Sequence, residues 1–185
     1  WDEAIAIIAE KLKKTKSERV AGHIGDLISL ESIFAFKEFL KSINCKNYDF
    51  REKKFYIDPE SKNNYIFNST IQGVEESDLI ILIGTNPRHE ATMLNARIRK
   101  AFKANNTPIY SFGNPGDLTY NYVLLGETIQ DLKSLFDKKS EISRKLLNSK
   151  KPLIIIGESA LELKNGSFIF QETKKFIIQN NMIQE

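Results

Sequence analysis

The chain has 185 residues, 41% of them hydrophobic, and a formal net charge of +3 from 27 basic and 24 acidic residues. This length and hydrophobic content suit one globular domain with a sizeable core. The small, dispersed charge argues against nucleic acid or an anionic membrane surface as a partner. The apolar runs over 79–83 and 153–156 are far shorter than the roughly 20 residues of a membrane span, so we expect no membrane insertion.

The chain contains a single cysteine, Cys45. One thiol cannot form an internal disulfide, and by itself it cannot hold an iron-sulfur cluster or a structural zinc, which need several thiolate or imidazole ligands. We interpret Cys45 as a small structural residue near a helix end. The opening residues Trp1 to Ala4 have no signal-peptide pattern, and we expect them to mark the edge of a domain that belongs to a larger subunit.

Helix and strand patterns alternate along the first 50 residues. Residues 1–12 carry apolar side chains at helical spacing, and residues 19–24 predict a short strand. Ser29 is predicted to cap a second helix that ends near Asn44. Extended chain is predicted again over 48–50. This alternation is typical of parallel βαβ units.

The most informative segment is 84–102, GTNPRHEATMLNARIRKAF. The preceding run from Leu79 to Ile83 is uniformly apolar, which predicts a strand in the buried centre of a parallel sheet. The chain then turns at Gly84–Pro87, and from Arg88 a helical period predicts an amphipathic helix with a basic polar face. Ligands of open α/β sheets bind beyond the carboxyl ends of the strands, so this turn is the first place to look for a cofactor.

Together the patterns predict an α/β fold with an open, mainly parallel sheet of about five strands and helices on both faces. We find no repeat and no linker, and we expect one domain over 1–185. The remaining predicted elements are a long polar surface loop over 51–68, a strand over 108–113, a turn over 114–117, a helix over 128–149 broken near Lys138, a strand over 152–157 and a helix over 168–180.

The two histidines are candidates for a general base or a metal ligand. His23 lies in the first predicted strand, and His89 opens the basic helix. Neither has a carboxylate or cysteine partner at the spacing of a ligand pair. We therefore interpret both histidines as structural.

Two groups of charged residues also need an interpretation. Glu75 and Glu76 are adjacent, so their side chains point apart and suit a solvated helix end better than an acid and base pair. Arg88, Arg97 and Arg99 are basic residues of a polar helix face. They are open to three interpretations: ordinary solvation, contact with a partner subunit, or binding of phosphate.

The turn at 84–87 is accompanied by further recognisable segments: 73–78 (GVEESD), 95–100 (NARIRK), 116–120 (GDLTY), 125–127 (LGE) and 152–161. With the opening residues Trp1 to Ala4, they make the chain resemble the molybdopterin oxidoreductases, and among them the large iron-sulfur subunit of NADH:quinone oxidoreductase, respiratory complex I. The resemblance covers essentially the whole chain and is weakest over 51–68.

The resemblance implies a molybdopterin-oxidoreductase-like fold and a place in electron transfer. In that family the intact subunit passes electrons from NADH toward quinone through 2Fe-2S and 4Fe-4S clusters, whose cysteine ligands lie in a segment before this one. It therefore implies a structural, cofactor-free domain with no catalytic, cofactor-binding or metal-binding residue of its own. The implied partners are other peripheral-arm subunits of complex I, including the NADH-binding flavoprotein subunit. The implied location is peripheral, on the cytoplasmic face of a bacterial inner membrane or the matrix side of a mitochondrial one.

The sequence departs from the molybdenum enzymes of the wider family. Those enzymes have a Cys, selenocysteine, Ser or Asp metal ligand near the end of an Asn-x-Asp-x-x-Arg-like segment. Here the segment from Asn47 to Arg51 is followed by Glu52, Lys53 and Lys54, and lysine is a poor molybdenum ligand. The departure argues against a working metal site. The resemblance to complex I members, which keep the fold without the cofactor, implies that the turn at 84–87 is a structural relic rather than a cradle for pterin phosphate.

Two alternatives stay open at this point. The chain resembles in part a molybdopterin-dependent oxidoreductase of the formate dehydrogenase kind, which would need a pterin pocket lined by Gly84, Thr85, Asn86 and Arg88. A general nucleotide-binding domain using the same turn is a second alternative. The lack of a Gly-x-Gly-x-x-Gly pattern at a strand end weakens that second one.

Overall fold

The computed structural model describes residues 1–25, 27–50 and 53–182. The chain divides into two compact units, Trp1–Lys54 and Phe55–Glu185. Each unit has its own parallel sheet, two-stranded in the first and four-stranded in the second. The predicted α/β class is therefore confirmed, and the expected single domain stays a prediction.

In its described residues, the first unit contains two α-helices and a short sheet. Its elements are α1 (Asp2–Lys14), a 3-10 turn (Ser17–Arg19), β1 (Ala21–His23), α2 (Leu30–Ser42) and β2 (Asn47–Asp49), with β1 parallel to β2. Ser29 accepts a hydrogen bond from the amide of Ser32 and caps α2, as predicted. Asn44, with φ of +55°, follows the end of α2. A Cβ on Gly22 would lie 2.5 Å from Leu40 Cδ1, so β1 and α2 pack closely at this glycine.

The second unit is built on four parallel strands. They are β3 (Leu79–Ile83), β4 (Ile109–Phe112), β5 (Val123–Gly126) and β6 (Pro152–Ile156), in the order β5-β4-β3-β6 across the sheet. The expected single sheet of about five strands is corrected to two sheets, because β1 and β2 pair with each other. β5 escaped prediction because it lies at the sheet edge, where Val123 and Leu124 stay exposed and leave no burial pattern.

The second unit has seven helices within 53–182, before, between and after these strands. They are α3 (Ile71–Glu76), α4 (Pro87–Glu90), α5 (Thr92–Asn105), α6 (Ile129–Phe136), α7 (Glu141–Asn148), α8 (Glu158–Glu162) and α9 (Gly166–Gln179). The loop predicted over 51–68 is confirmed in its described part, which has only one 3-10 turn at Lys62–Asn64. Across the described ranges, every helix is too short or too polar to span a bilayer.

The helices cover both faces of the four-stranded sheet, as predicted. On one side, which we call the first face, Ile80 shares a buried cluster with Val74 of α3 and Ile98 of α5. On the opposite side, the second face, Ile81 lies in a separate cluster. That second cluster includes Leu135 of α6, Leu146 of α7 and Ile169 of α9.

The helix expected from Arg88 onward is interrupted. Ala91 has φ of −150° and ψ of 70°, which separates the four-residue α4 from α5. The carboxylate of Glu90 turns back and accepts a hydrogen bond from the Asn86 amide at 2.9 Å, so α4 closes as a single turn. The break between α6 and α7 lies near Lys138, where it was predicted.

Replacing Ile81 with Asp should unfold the second unit. Ile81 is 0% exposed in the central part of the sheet, and a carboxylate there would have no partner to offset its desolvation. Circular dichroism and urea titration of the purified chain measure the loss of folded structure. The matched control Ile81→Val removes one methyl group and should lower the free energy of unfolding by only about 1 kcal/mol. A stably folded Ile81→Asp chain would contradict the buried position of β3.

Candidate functional site

The sheet places the ends of β3 and β6 side by side, where the helices that follow leave for opposite faces. Open α/β sheets bind ligands at such a switch point. Gly84 follows β3 with φ of +52°, and a Cβ there would lie 2.7 Å from the Ala160 Cβ. A Cβ on Gly157 would lie 2.3 Å from the Gly84 carbonyl oxygen and 2.4 Å from the Thr85 Cβ. The two strand ends therefore approach closely at these glycines, where there is no room for a side chain.

The polar groups of the turn after β3 are paired within the protein. Thr85 Oγ1 donates to Glu90 Oε2 at 2.8 Å, and the Asn86 amide donates to Glu90 Oε1 at 2.9 Å. Asn86 Oδ1 accepts from the His89 amide at 3.2 Å, and Asn86 Nδ2 donates to the Pro115 carbonyl at 2.6 Å. The carboxylate of Glu90 thus takes up the donors that an anion at this turn would use.

Arg88, the fourth candidate residue of this turn, is also held within the chain. Its Nη1 donates to Asp117 Oδ2 at 2.5 Å and to the Asp117 carbonyl at 3.1 Å. The amide of Thr119, and after it the Arg88 guanidinium, hold the pKa of Asp117 below its ordinary value. Both side chains are well exposed, so the pair adds little stability. Its effect is to fix the direction in which Arg88 points.

Asn95 and Tyr120 form a buried polar pair beneath the turn. Asn95 is 6% exposed and Tyr120 is 8% exposed. Tyr120 donates its hydroxyl to Asn95 Oδ1 at 2.7 Å, and Asn95 Nδ2 donates to the Leu118 carbonyl at 3.2 Å. Burial raises the pKa of Tyr120, so the hydroxyl stays a hydrogen-bond donor. The sequence analysis did not predict this pair. The available signal was Asn95, a polar residue on the apolar face of α5.

These contacts bring together the segments that carry the resemblance described above. Helices α4 and α5 supply Arg88 and Asn95, Asn86 caps α4, and each of these side chains bonds to the stretch 115–120. The polar residues of the two segments therefore bind one another. Together they brace the loop between β4 and β5 against the helices that follow β3.

The two adjacent carboxylates at the end of α3 point to different partners, as predicted. Glu75 pairs with Arg97 and with Lys100 Nζ, the latter at 2.6 Å. Glu76 pairs with Lys151 Nζ at 2.6 Å. Lys100, and after it Arg97, hold the pKa of Glu75 below its ordinary value. The expected solvated helix end is corrected for Glu75, whose side chain is only 20% exposed because two cations of α5 cover it.

The remaining candidate side chains do not come together. His23 and His89 are exposed, one in β1 and the other in α4. Arg99 is exposed on α5, and a partner contact there stays a prediction. Cys45 is 3% exposed and its thiol lies 3.1 Å from the Val20 carbonyl. Within 1–25, 27–50 and 53–182, no group of His, Cys, Asp or Glu side chains is arranged to hold a metal ion.

The segment proposed to correspond to the molybdenum-ligating region is only partly described. Asn47 and Asp49 lie in β2, and Asn47 Nδ2 donates to the carbonyls of Glu18 and Val20 at 3.0 and 3.2 Å. Arg51 and Glu52 lie outside the described residues. The Asn47 side chain is therefore used to hold the start of β2 against the chain that precedes β1.

Comparison with known proteins settles the family. The family model for molybdopterin oxidoreductase matches residues 1–185. The chain belongs to the molybdopterin oxidoreductase family. This confirms the wider resemblance seen in the sequence.

The chain is also similar to three proteins whose names are known. An NADH-quinone oxidoreductase subunit of Rickettsia bellii is 34% identical over 185 residues, which is 100% of this chain and 27% of the relative. The NADH-ubiquinone oxidoreductase 75 kDa subunit of Reclinomonas americana is 37% identical over 94% of this chain and 27% of the relative. NADH dehydrogenase (ubiquinone) iron-sulfur protein 1, mitochondrial, of Solanum tuberosum is 32% identical over 100% of this chain and 25% of the relative. The chain spans about a quarter of the length of these relatives.

The turn after β3 is the place where a pterin cofactor would have to fit. A phosphate held by the turn would need Thr85 Oγ1 and the Asn86 amide, which Glu90 already engages. A Cβ on Gly157 would lie 2.3 Å from the Gly84 carbonyl oxygen, so the two strand ends leave no room for a side chain between them. As it stands, this arrangement does not fit the group.

Replacing Tyr120 with Phe should destabilise the chain by about 1–3 kcal/mol, because it leaves the buried Asn95 Oδ1 without a donor. Urea unfolding measures the change. The control is Tyr122→Phe, which removes a hydroxyl that bonds near the surface to Asn114 and Gly116 and should cost less. If the two variants lowered the free energy of unfolding equally, the buried hydrogen bond of Tyr120 would not be the more stabilising of the two.

The pKa of Glu75 should be measurable below its ordinary value of 4.5, because Lys100 and Arg97 favour its charged form. A lowered pKa in the folded state stabilises the fold above pH 4.5, and this stabilisation is lost as the pH falls through the lowered value. Carboxyl titration by NMR of the unchanged chain and of Lys100→Met tests this. The variant should titrate closer to 4.5. A midpoint at or above 4.5 in the unchanged chain would refute the ion-pair network.

Proposed function

We propose that this chain is a structural, cofactor-free domain of the large iron-sulfur subunit of NADH:quinone oxidoreductase, whose intact form passes electrons from NADH toward quinone. The relatives named above match nearly the whole chain at 32–37% identity, and all three carry names of this enzyme. The observation that supports a structural role is the pairing of the turn's polar groups with Glu90 and with the chain's own carbonyls.

The electron carriers of the proposed subunit lie outside this chain. Iron-sulfur clusters of the 2Fe-2S and 4Fe-4S kind are bound by sets of cysteines, whereas this chain has only Cys45. One relative is itself named an iron-sulfur protein. We infer that clusters are held by other parts of the longer subunit and that this domain helps to position them.

The proposed partners follow from the same assignment. They are other peripheral-arm subunits of complex I, including the NADH-binding flavoprotein subunit. The proposed location is peripheral, on the cytoplasmic side of a bacterial inner membrane or on the matrix side of a mitochondrial one. The exposed Arg99 on α5 is one position at which a partner subunit has access.

The alternative of a molybdopterin-dependent enzyme of the formate dehydrogenase kind gains no support from the described residues. Its pocket would be lined by Gly84, Thr85, Asn86 and Arg88. Gly84 is in close approach to Ala160, and the other three direct their polar groups to protein partners. A cofactor at this place would have to displace several internal hydrogen bonds.

Cofactor content separates the two assignments. Molybdenum and tungsten are measured by elemental analysis, and pterin by the fluorescence of its oxidised form, in the full-length subunit and in the 185-residue chain. We expect iron in the full-length subunit only, and neither pterin nor molybdenum or tungsten in either protein. Stoichiometric pterin or molybdenum in the full-length subunit would overturn the proposal.

Substitutions in the turn provide a second test in the assembled complex. Thr85→Ala and Asn86→Ala should lower stability modestly, because each removes hydrogen bonds within the turn, and should leave NADH oxidation nearly unchanged. The protein content of the purified complex controls for assembly, and Ile81→Asp serves as the variant that fails to assemble. A large loss of activity in a normally assembled Thr85→Ala complex would contradict a structural role.

A further inference from the structure

Among the residues that the structure describes, one edge of the four-stranded sheet has backbone hydrogen-bonding groups with no strand beside them. β6 pairs with β3, and among the described residues no strand pairs with its other side. The Gly157 amide donates to the Ile83 carbonyl, and the Lys151 carbonyl accepts from the Asp78 amide. Because alternate residues of a parallel strand face opposite neighbours, odd-numbered residues of β6 face β3. The amides of Ile154 and Ile156 therefore point away from it.

The side chains of β6 are those of an inner strand. The run Leu153–Ile156 is wholly aliphatic, and its residues pack in the clusters on both faces of the sheet. Edge strands of soluble proteins usually carry charges, bulges or prolines that block pairing. In β6 the only such residue is Pro152, at the first position, where proline is tolerated in any strand.

The order of connections indicates where the chain goes after β6. The connection from β3 to β4 runs over the first face toward the β5 side, and the connection from β5 to β6 runs over the second face in the opposite direction. These two crossovers have the same hand, as the rule of right-handed crossovers requires. α9 follows β6 and packs on the second face through Ile169 and Phe176. A crossover of the same hand therefore leads to the outer side of β6.

The end of α9 turns the chain back toward the sheet. Asn181 has φ of +53°, its amide donates to the Ile178 carbonyl, and the Met182 amide donates to the Ile177 carbonyl. This pair of bonds is a Schellman motif, which ends a helix and reverses the chain. Met182 then packs against the second-face cluster. The last described residue after α9 therefore contacts the second-face core.

We propose that a fifth parallel strand, from the segment that follows α9 in the longer polypeptide, pairs with the open edge of β6. About three quarters of each relative's length lies outside the matched region, so those relatives have further chain on one or both sides of it. The strand would accept hydrogen bonds from the amides of Ile154 and Ile156. Its side chains would be apolar on both faces, like those of β6.

Amide hydrogen exchange at single residues of the full-length subunit tests this pairing. The amides of Ile154 and Ile156 should exchange as slowly as that of Ile155, which faces β3 and serves as the internal control. In the subunit truncated after Glu185, Ile154 and Ile156 should exchange faster than Ile155. Fast exchange at Ile154 and Ile156 in the full-length subunit would overturn the proposal.

The truncated subunit also identifies the source of the strand. Protection of Ile154 and Ile156 that persists after truncation would assign the edge to a partner chain or to another segment, and would likewise overturn the proposal. The comparison of Ile154 and Ile156 with Ile155 in the full-length subunit tests the pairing without the truncated protein, so it remains valid if truncation destabilises the fold. Neither outcome depends on the proposed electron-transfer function.

Discussion

The burial of β3 is the constraint on which the rest of the second unit depends. At most 3% of any of its five side chains is exposed, so helices must cover both faces and strands must flank both edges. Each fully buried Leu or Ile contributes roughly 1.5–3 kcal/mol, whereas a surface ion pair such as that of Arg88 with Asp117 contributes little. The apolar strand, rather than the charge pattern, therefore holds the turn and its helices in place.

The same packing accompanies the internal pairing of the polar groups in the turn after β3. The ends of β3 and β6 approach closely through Gly84 and Gly157, where a side chain would collide with backbone. The amides and hydroxyl of the turn still need acceptors, and Glu90 supplies them from four residues farther along the chain. Asn95 and Tyr120 add a buried brace beneath it. Residues that look like a phosphate cradle in the sequence thus form hydrogen bonds with one another and with the loop that follows β4.

Sequence patterns located the elements whose burial is regular and missed those whose burial is not. The apolar run of β3 and the cap at Ser29 were predictable, because a buried strand and a helix start each leave a local signature. β5 left no such signature, because an edge strand is half exposed. The break in the helix at Ala91 was not predicted, because the helical spacing of apolar residues continues through it. The role of Glu90 was not predictable, because its carboxylate acts on a backbone amide outside any motif. In α1 the apolar spacing was correct for a helix, yet no residue of that helix is buried.

The two edges of the sheet differ, and the difference bears on the position of β3. β5 is short and exposed, and its pairing with β4 shifts register between Ser111 and Phe112, which are features that end a sheet. β6 has an uninterrupted aliphatic run and two outward amides. A strand beside β6 would place β3 at the middle of five, with two strands on each side. Complete burial of β3 is the expected property of a central strand, and the closed turn at its end would then lie at the centre of the sheet.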